Sequence, residues 1–143
     1  MSNPIVEELE RRFLPAFRTV AEELRREFPG IRITTWSSPV GSATSYQGHT
    51  LGIDCLFPHA PSDQSDNVGL SIGVMHLTTE PKLCDASVCW GAEAGEGCHG
   101  ADLIEAPIPY STTALDQIEA GLPLLYEALA SALRNPPFAN EVA

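Results

Sequence analysis

The stretch Val68-Gly69-Leu70-Ser71-Ile72-Gly73-Val74 alternates bulky apolar residues with glycine and serine. Successive side chains of a β-strand point to opposite faces of a sheet, so this period of two predicts a strand. One face of that strand carries branched apolar side chains, and the other face is nearly bare. The bulky face suits a packed core, whereas the bare face lies against a helix or opens to solvent or a ligand.

Strand patterns also occur on both sides of this stretch, which itself extends to about residue 78. They lie at residues 31–36, 46–57, 86–90 and 101–108. Residues 37–45 combine Ser, Pro, Gly and Thr and predict a loop. Because connectors of about ten residues or fewer are short for parallel crossovers, we expect an antiparallel meander.

An apolar stripe with helical spacing marks each end of the chain. Apolar residues recur there every three or four positions, as in a helix that packs one side on a core. The stripes are Ile5, Leu9, Phe13, Phe17, Val20, Leu24 and Phe28, then Leu115, Ile118, Leu122, Leu125, Leu129 and Leu133. The second helix starts near Ser111. Pro15 predicts a kink in the first helix, and Gly121 with Pro123 a bend in the second.

The predicted fold is α+β. It consists of an antiparallel, meander-like sheet of four to five strands with the N-terminal and C-terminal helices packed on one face. We expect a single domain over residues 1–143, with fraying at 1–3 and 135–143. An uncovered sheet face and open sheet edges would then be available to a partner, including a second copy of the chain in a homodimer.

The charge and segment composition of the chain exclude some classes of protein. The net charge is −11, and residues 31–111 hold nine acids against two basic residues. Nucleic-acid binding requires basic clusters, and none lies beyond the first helix. No apolar run reaches the ~18 residues of a membrane span. Since the N-terminus does not resemble a secretion signal, we expect a cytoplasmic protein whose four cysteines are thiols.

The sharpest cluster of potential ligands is Cys84-x4-Cys89-x8-Cys98-His99. Zinc prefers four sulfur or nitrogen ligands in a tetrahedron, so these four residues form the candidate metal site. Their spacing is unusual, because adjacent Cys98 and His99 rarely reach one ion. A disulfide between Cys89 and Cys98 fits the spacing as well. Cysteines acting as small apolar residues are the alternative that we favour.

A second cluster comprises His49, Asp54, Cys55 and His59. An imidazole beside a thiol could lower its pKa and create a nucleophile. However, alternation places Cys55 on the apolar face with Ile53, and His49 lies about 20 Å away at strand rise. We therefore expect a cysteine of the sheet core and assign no catalytic residue.

Two functions remain. The first, which the charge favours, is a small acidic, non-catalytic module that binds a protein, and a basic one in particular, through its sheet face or loops. The second is a small metal- or thiol-dependent enzyme built on Cys84, Cys89, Cys98 and His99. Only that alternative calls for a cofactor, which would be zinc.

Overall fold

Two helices enclose six strands in chain order. The computed structural model describes residues 4–40, 47–57, 67–76, 81–90, 101–104 and 106–135. Its elements are α1 (Pro4–Glu27), β1 (Arg32–Val40), β2 (Gln47–Leu56), β3 (Asn67–His76), β4 (Pro81–Trp90), β5 (Ala101–Asp102), β6 (Ile108–Pro109) and α2 (Thr112–Arg134). This arrangement confirms the predicted α+β class. The expected fraying at 1–3 and 135–143 concerns, apart from Asn135, residues outside the described ranges.

The sheet is an antiparallel meander. Strands β1 to β5 pair in sequence order, and β6 adds a second short pairing to β4. The predicted loop at 37–45 is wrong at its start, because β1 continues through Ser37 and Pro39 to Val40. The predicted fifth strand at 101–108 is replaced by two strands of two residues each.

Strand β4 begins at Pro81, five residues earlier than its sequence pattern predicts. The pairing with β3 shifts register between Gly73 and Val74, where β4 has an extra residue. Because of this bulge, Leu83 and Ala86 are both buried although they stand three positions apart. A period of two therefore does not extend through the strand.

Both helices pack on the same face of the sheet. Helix α1 lies against β1 and β2, whereas α2 lies against β3, β4 and β5. The core between the layers combines the helix stripes with the bulky face of the strands. Its largest fully buried side chains include Phe13, Phe17, Leu51, Ile53, Leu70, Ile72, Leu83, Leu115, Leu125 and Leu129. The predicted packing is therefore confirmed, and neither Pro15 nor Pro123 ends its helix.

The two helices run in the same direction. Arg12 of α1 pairs with Asp116 and Glu119 near the start of α2, and Glu27 pairs with Arg134 at the ends of both helices. Residue numbers thus increase together along the pair. Arg12 is only 19% exposed, but its acidic partners and the Glu27–Arg134 pair are about half exposed, so each ion pair contributes at most about 1 kcal/mol. Within the described residues, neither helix is long and apolar enough to cross a membrane.

Candidate functional site

The predicted zinc ligands are only partly described. Cys84 is a half-buried free thiol that contacts the Gly73 carbonyl oxygen at 3.6 Å. Cys89 is disulfide-bonded, so the expectation of a thiol is wrong at this position. Along β4 these two cysteines stand about 16 Å apart at strand rise, much farther than two ligands of one ion. Cys98 and His99 lie outside the described residues, so the four-ligand set stays a prediction, although a disulfide-bonded Cys89 has no thiolate to give a metal ion.

The described members of the second cluster, His49, Asp54 and Cys55, do not form one site. Cys55 is fully buried in the core, and burial raises the pKa of its thiol to about 12. Asp54 lies on the opposite face of the sheet, because it is the next residue along β2. His59 is outside the described residues. The interpretation of Cys55 as a core cysteine is confirmed.

His49 belongs instead to a hydrogen-bonded chain that links α1 to the sheet. The Ser37 hydroxyl donates to Glu10 Oε2 at 2.7 Å, and its oxygen lies 2.6 Å from His49 Nε2. Since a hydroxyl has one proton, His49 must donate to Ser37. Desolvation lowers the pKa of His49, although the charge of Glu10 opposes this shift. Glu10 of α1 accepts the Ser37 proton and His49 of β2 donates to the Ser37 oxygen, so these hydrogen bonds link α1 to the first two strands.

The face of the sheet opposite the helices carries a different polar cluster. Asp85 of β4 accepts hydrogen bonds from Ser71 at 2.5 Å and from Ser87 at 2.6 Å. Ser71 and Ser87 are register partners on β3 and β4, and Asp102 pairs with Ser87 on β5. Desolvation raises the pKa of Asp85, whereas the two serine hydrogen bonds lower it.

A second half-buried carboxylate, Asp54, occupies the same face on β2. It accepts a long hydrogen bond from Asn67 at 3.4 Å, and desolvation raises its pKa. The ion pairs of the described residues join other side chains, so neither Asp54 nor Asp85 has a cationic partner there.

Small residues separate these two carboxylates. The centre of β2 and β3 on this face consists of Gly52, Gly69, Ser71 and Gly73. Both described helices pack on the other face, so the predicted alternative of a helix against the bare face does not hold within the described residues. A side chain at Gly52 would overlap the Leu70 carbonyl oxygen of the neighbouring strand. Gly52 is thus required for the close approach of two strands. We call the side opposite the two helices, with Asp54, Ser71, Asp85 and Ser87, the open face, because no described helix packs on it, although Ser87 is only 3% exposed.

The negative charge is less concentrated on the strands than the sequence suggested. The described residues hold twelve acids and eight basic residues, a net charge of −4. The other seven acids lie outside them. On the described strands the charged residues are Arg32, Asp54, Lys82, Asp85 and Asp102. The distinctive feature of the open face is therefore that two carboxylates have no cationic partner among the described residues, and not the number of acids.

Comparison with known proteins adds no family. The chain matches no protein-family model, no curated protein and no solved structure. Among the described residues, no group of three or more His, Cys, Asp or Glu side chains is placed to hold a metal ion.

Proposed function

We propose that the protein is a non-catalytic binding module that uses its open face to engage a basic segment of a partner protein. The observation that carries this proposal is the pair of half-buried carboxylates, Asp54 and Asp85, without a cationic partner among the described residues. A lysine or arginine of a partner would supply the missing charge.

The shape of the open face supports the same proposal. Gly69 and Gly73 have no side chain and Ser71 has a short one, so a partner can approach the strands closely. Arg32 and Lys82 stand on this face toward its two ends, away from the small central residues. Matching an acidic centre to a basic segment increases specificity and association rate more than it increases affinity.

The test compares three forms of the immobilised protein: wild type, Asp54→Asn/Asp85→Asn, and Glu22→Gln/Glu127→Gln. The last is a matched control, because it removes the same formal charge from exposed helix positions. Proteins retained from the native extract are identified and then titrated in purified form. A partner should bind wild type and control alike and bind the Asp54/Asp85 variant at least about tenfold more weakly.

Salt provides a second measurement on the same partner. Binding to wild type should weaken as ionic strength rises, because screening shortens the reach of charge–charge attraction. Equal affinity for wild type and for the Asp54/Asp85 variant would contradict the proposal, as would binding that is indifferent to salt.

A further inference from the structure

Strand β1 forms one edge of the sheet. It pairs with β2 on one side, and within the described residues no strand pairs with its other side. At nine residues it is long for an edge strand. An edge of this kind presents backbone N–H and C=O groups that can pair with another strand.

Two observations identify the groups that point outward from this edge. Arg25 Nε donates to the Ile33 carbonyl oxygen at 3.0 Å, which places that carbonyl on the side away from β2. In an antiparallel ladder the outward groups belong to alternate residues, so Thr35, Ser37 and Pro39 also point outward. Pro39 has no N–H to donate, and an outward position on an edge is where a strand tolerates proline.

We propose that β1 pairs antiparallel with β1 of a second copy of this chain, about a two-fold axis at Trp36. In this register Thr35 lies opposite Ser37 of the second copy, and Ile33 lies opposite Pro39 of the second copy. The two sheets become one continuous sheet, with all four helices on the same side. This inference does not rest on the proposed function, because it uses the edge of the sheet and leaves the open face uncovered.

The register satisfies the outward groups of both copies. Thr35 of one copy and Ser37 of the other form two backbone hydrogen bonds, each donating its N–H to the carbonyl of the other. The Ile33 N–H donates to the Pro39 carbonyl of the second copy. That carbonyl also accepts a weak 3.3 Å bond from Ser38, but an oxygen with two lone pairs can accept both. Pro39 has no N–H to donate to the Ile33 carbonyl of the other copy. That carbonyl already accepts a hydrogen bond from Arg25 of its own chain. This self-complementarity favours a second copy over an unrelated strand.

The flank of α1 beside this edge is complementary to itself in charge. Its first half carries three acids and one base, Glu7, Glu8, Glu10 and Arg11, and its second half carries Arg18. These residues and Leu14 line an open groove of about 790 Å³. Glu10 reaches Ser37 and Arg25 reaches Ile33, so this flank follows β1 in the opposite direction. A two-fold axis at Trp36 sets the acidic half of one α1 along the basic half of the other.

Trp36 occupies the centre of the proposed interface. It is half-buried on the open face, and its backbone groups point inward to Gly52 of β2. Trp36 would lie opposite Trp36 of the second copy in a non-hydrogen-bonded pair, the arrangement in which cross-strand side chains approach most closely. Two indole rings in contact bury apolar surface that the isolated chain leaves half-exposed.

Engineered cysteines test this register. Trp36→Cys should form an intermolecular disulfide under mild oxidation, because the two residues would face each other on the axis. Thr34→Cys is the matched control on the same strand and face. Its two copies would stand about 13 Å apart, beyond disulfide reach. Cross-linking of neither variant, or of both, would overturn the proposal, and wild type sets the background from the native cysteines.

Sedimentation equilibrium tests the dimer itself. Wild type should dimerise in a concentration-dependent manner, and Thr35→Pro should shift the protein to monomer, because proline removes an outward N–H that β2 does not use. Far-UV circular dichroism measures whether Thr35→Pro remains folded. If this variant unfolds, the cysteine cross-linking still tests the proposal by itself. A wild-type protein that is monomeric up to about 1 mM would refute the inference. Asp116→Asn is the control, because Asp116 lies on α2 and not on the edge strand. An Asp116→Asn variant that dissociates as readily as Thr35→Pro would also refute the inference.

Discussion

At the scale of single residues, Asp85 shows the conflict between burial and ionisation on the open face. Its carboxylate is half-buried, and two serine hydroxyls replace part of the lost hydration. Burial nevertheless raises its pKa above the ordinary value of 3.8. The folded chain therefore binds a proton at Asp85 more readily than the unfolded chain does.

We expect Asp85→Asn to increase the free energy of unfolding at neutral pH. A raised pKa in the folded state contributes stability that is complete below the unfolded pKa and is lost as pH rises through the folded pKa. The amide removes the charge and keeps one acceptor oxygen. Its NH2 group replaces the second acceptor, so one of the two serine hydroxyls must accept a hydrogen bond where it now donates one. The gain over wild type should shrink as pH falls toward 3.8, which urea denaturation at several pH values measures.

Glu127→Gln is the control for this prediction, since Glu127 is exposed on α2. Its stability relative to wild type should change little between the same pH values. A less stable Asp85→Asn variant at neutral pH would mean that the serine hydrogen bonds outweigh the desolvation of the carboxylate.

The sequence does not identify the residues of the hydrogen-bonded chain that links α1 to β1. Ser37 lies in a stretch whose composition is typical of a loop, and Glu10 is one of several acids on the polar side of a helix. Only the packing of α1 over β1 brings Glu10, Ser37 and His49 into one hydrogen-bonded chain. Alternation did place His49 on the correct face and Cys55 in the core.

At the scale of elements, α2 begins at a well-formed cap. The Ser111 side chain accepts a hydrogen bond from the Ala114 N–H at 3.0 Å. We expect Ser111→Ala to lower the free energy of unfolding by about 0.5–2 kcal/mol, because it leaves a helix-terminal N–H without its protein acceptor. Thermal or urea unfolding gives the value.

Thr113→Ala serves as the comparison for the cap, as it alters an exposed residue in the same helical turn. Its stability should equal or slightly exceed that of wild type, because alanine has the higher helix propensity. Equal losses in both variants would show that the effect is not one of capping.

The elements also show where sequence patterns stop being informative. The uninterrupted alternation of 68–74 located β3, and the helix stripes located α1 and α2 within a few residues. The bulge after Leu83 hides the first half of β4, because its buried positions no longer follow a period of two. The two-residue strands β5 and β6 have no pattern of their own and depend on pairing with β4.

At the scale of the whole molecule, one core joins both helices to one sheet. Neighbouring leucines of α2 provide a direct test, since Leu125 is fully buried and Leu124 is 66% exposed. We expect Leu125→Ala to cost about 2–5 kcal/mol through lost burial and a residual cavity. Leu124→Ala should change the free energy of unfolding by about 0.5 kcal/mol or less. Similar losses, measured by urea denaturation, would contradict the shared core.

The shared direction of α1 and α2 has an electrical consequence for the molecule. Antiparallel neighbours cancel their peptide macrodipoles, whereas these two add, with about half an elementary charge at each end of each helix. The positive poles coincide near Pro4 and Thr112, and the negative poles near Glu27 and Arg134. Arg25, Arg26 and Arg134 occupy the last helical turns and outnumber Glu27 there, so a net positive side-chain charge opposes the summed negative pole.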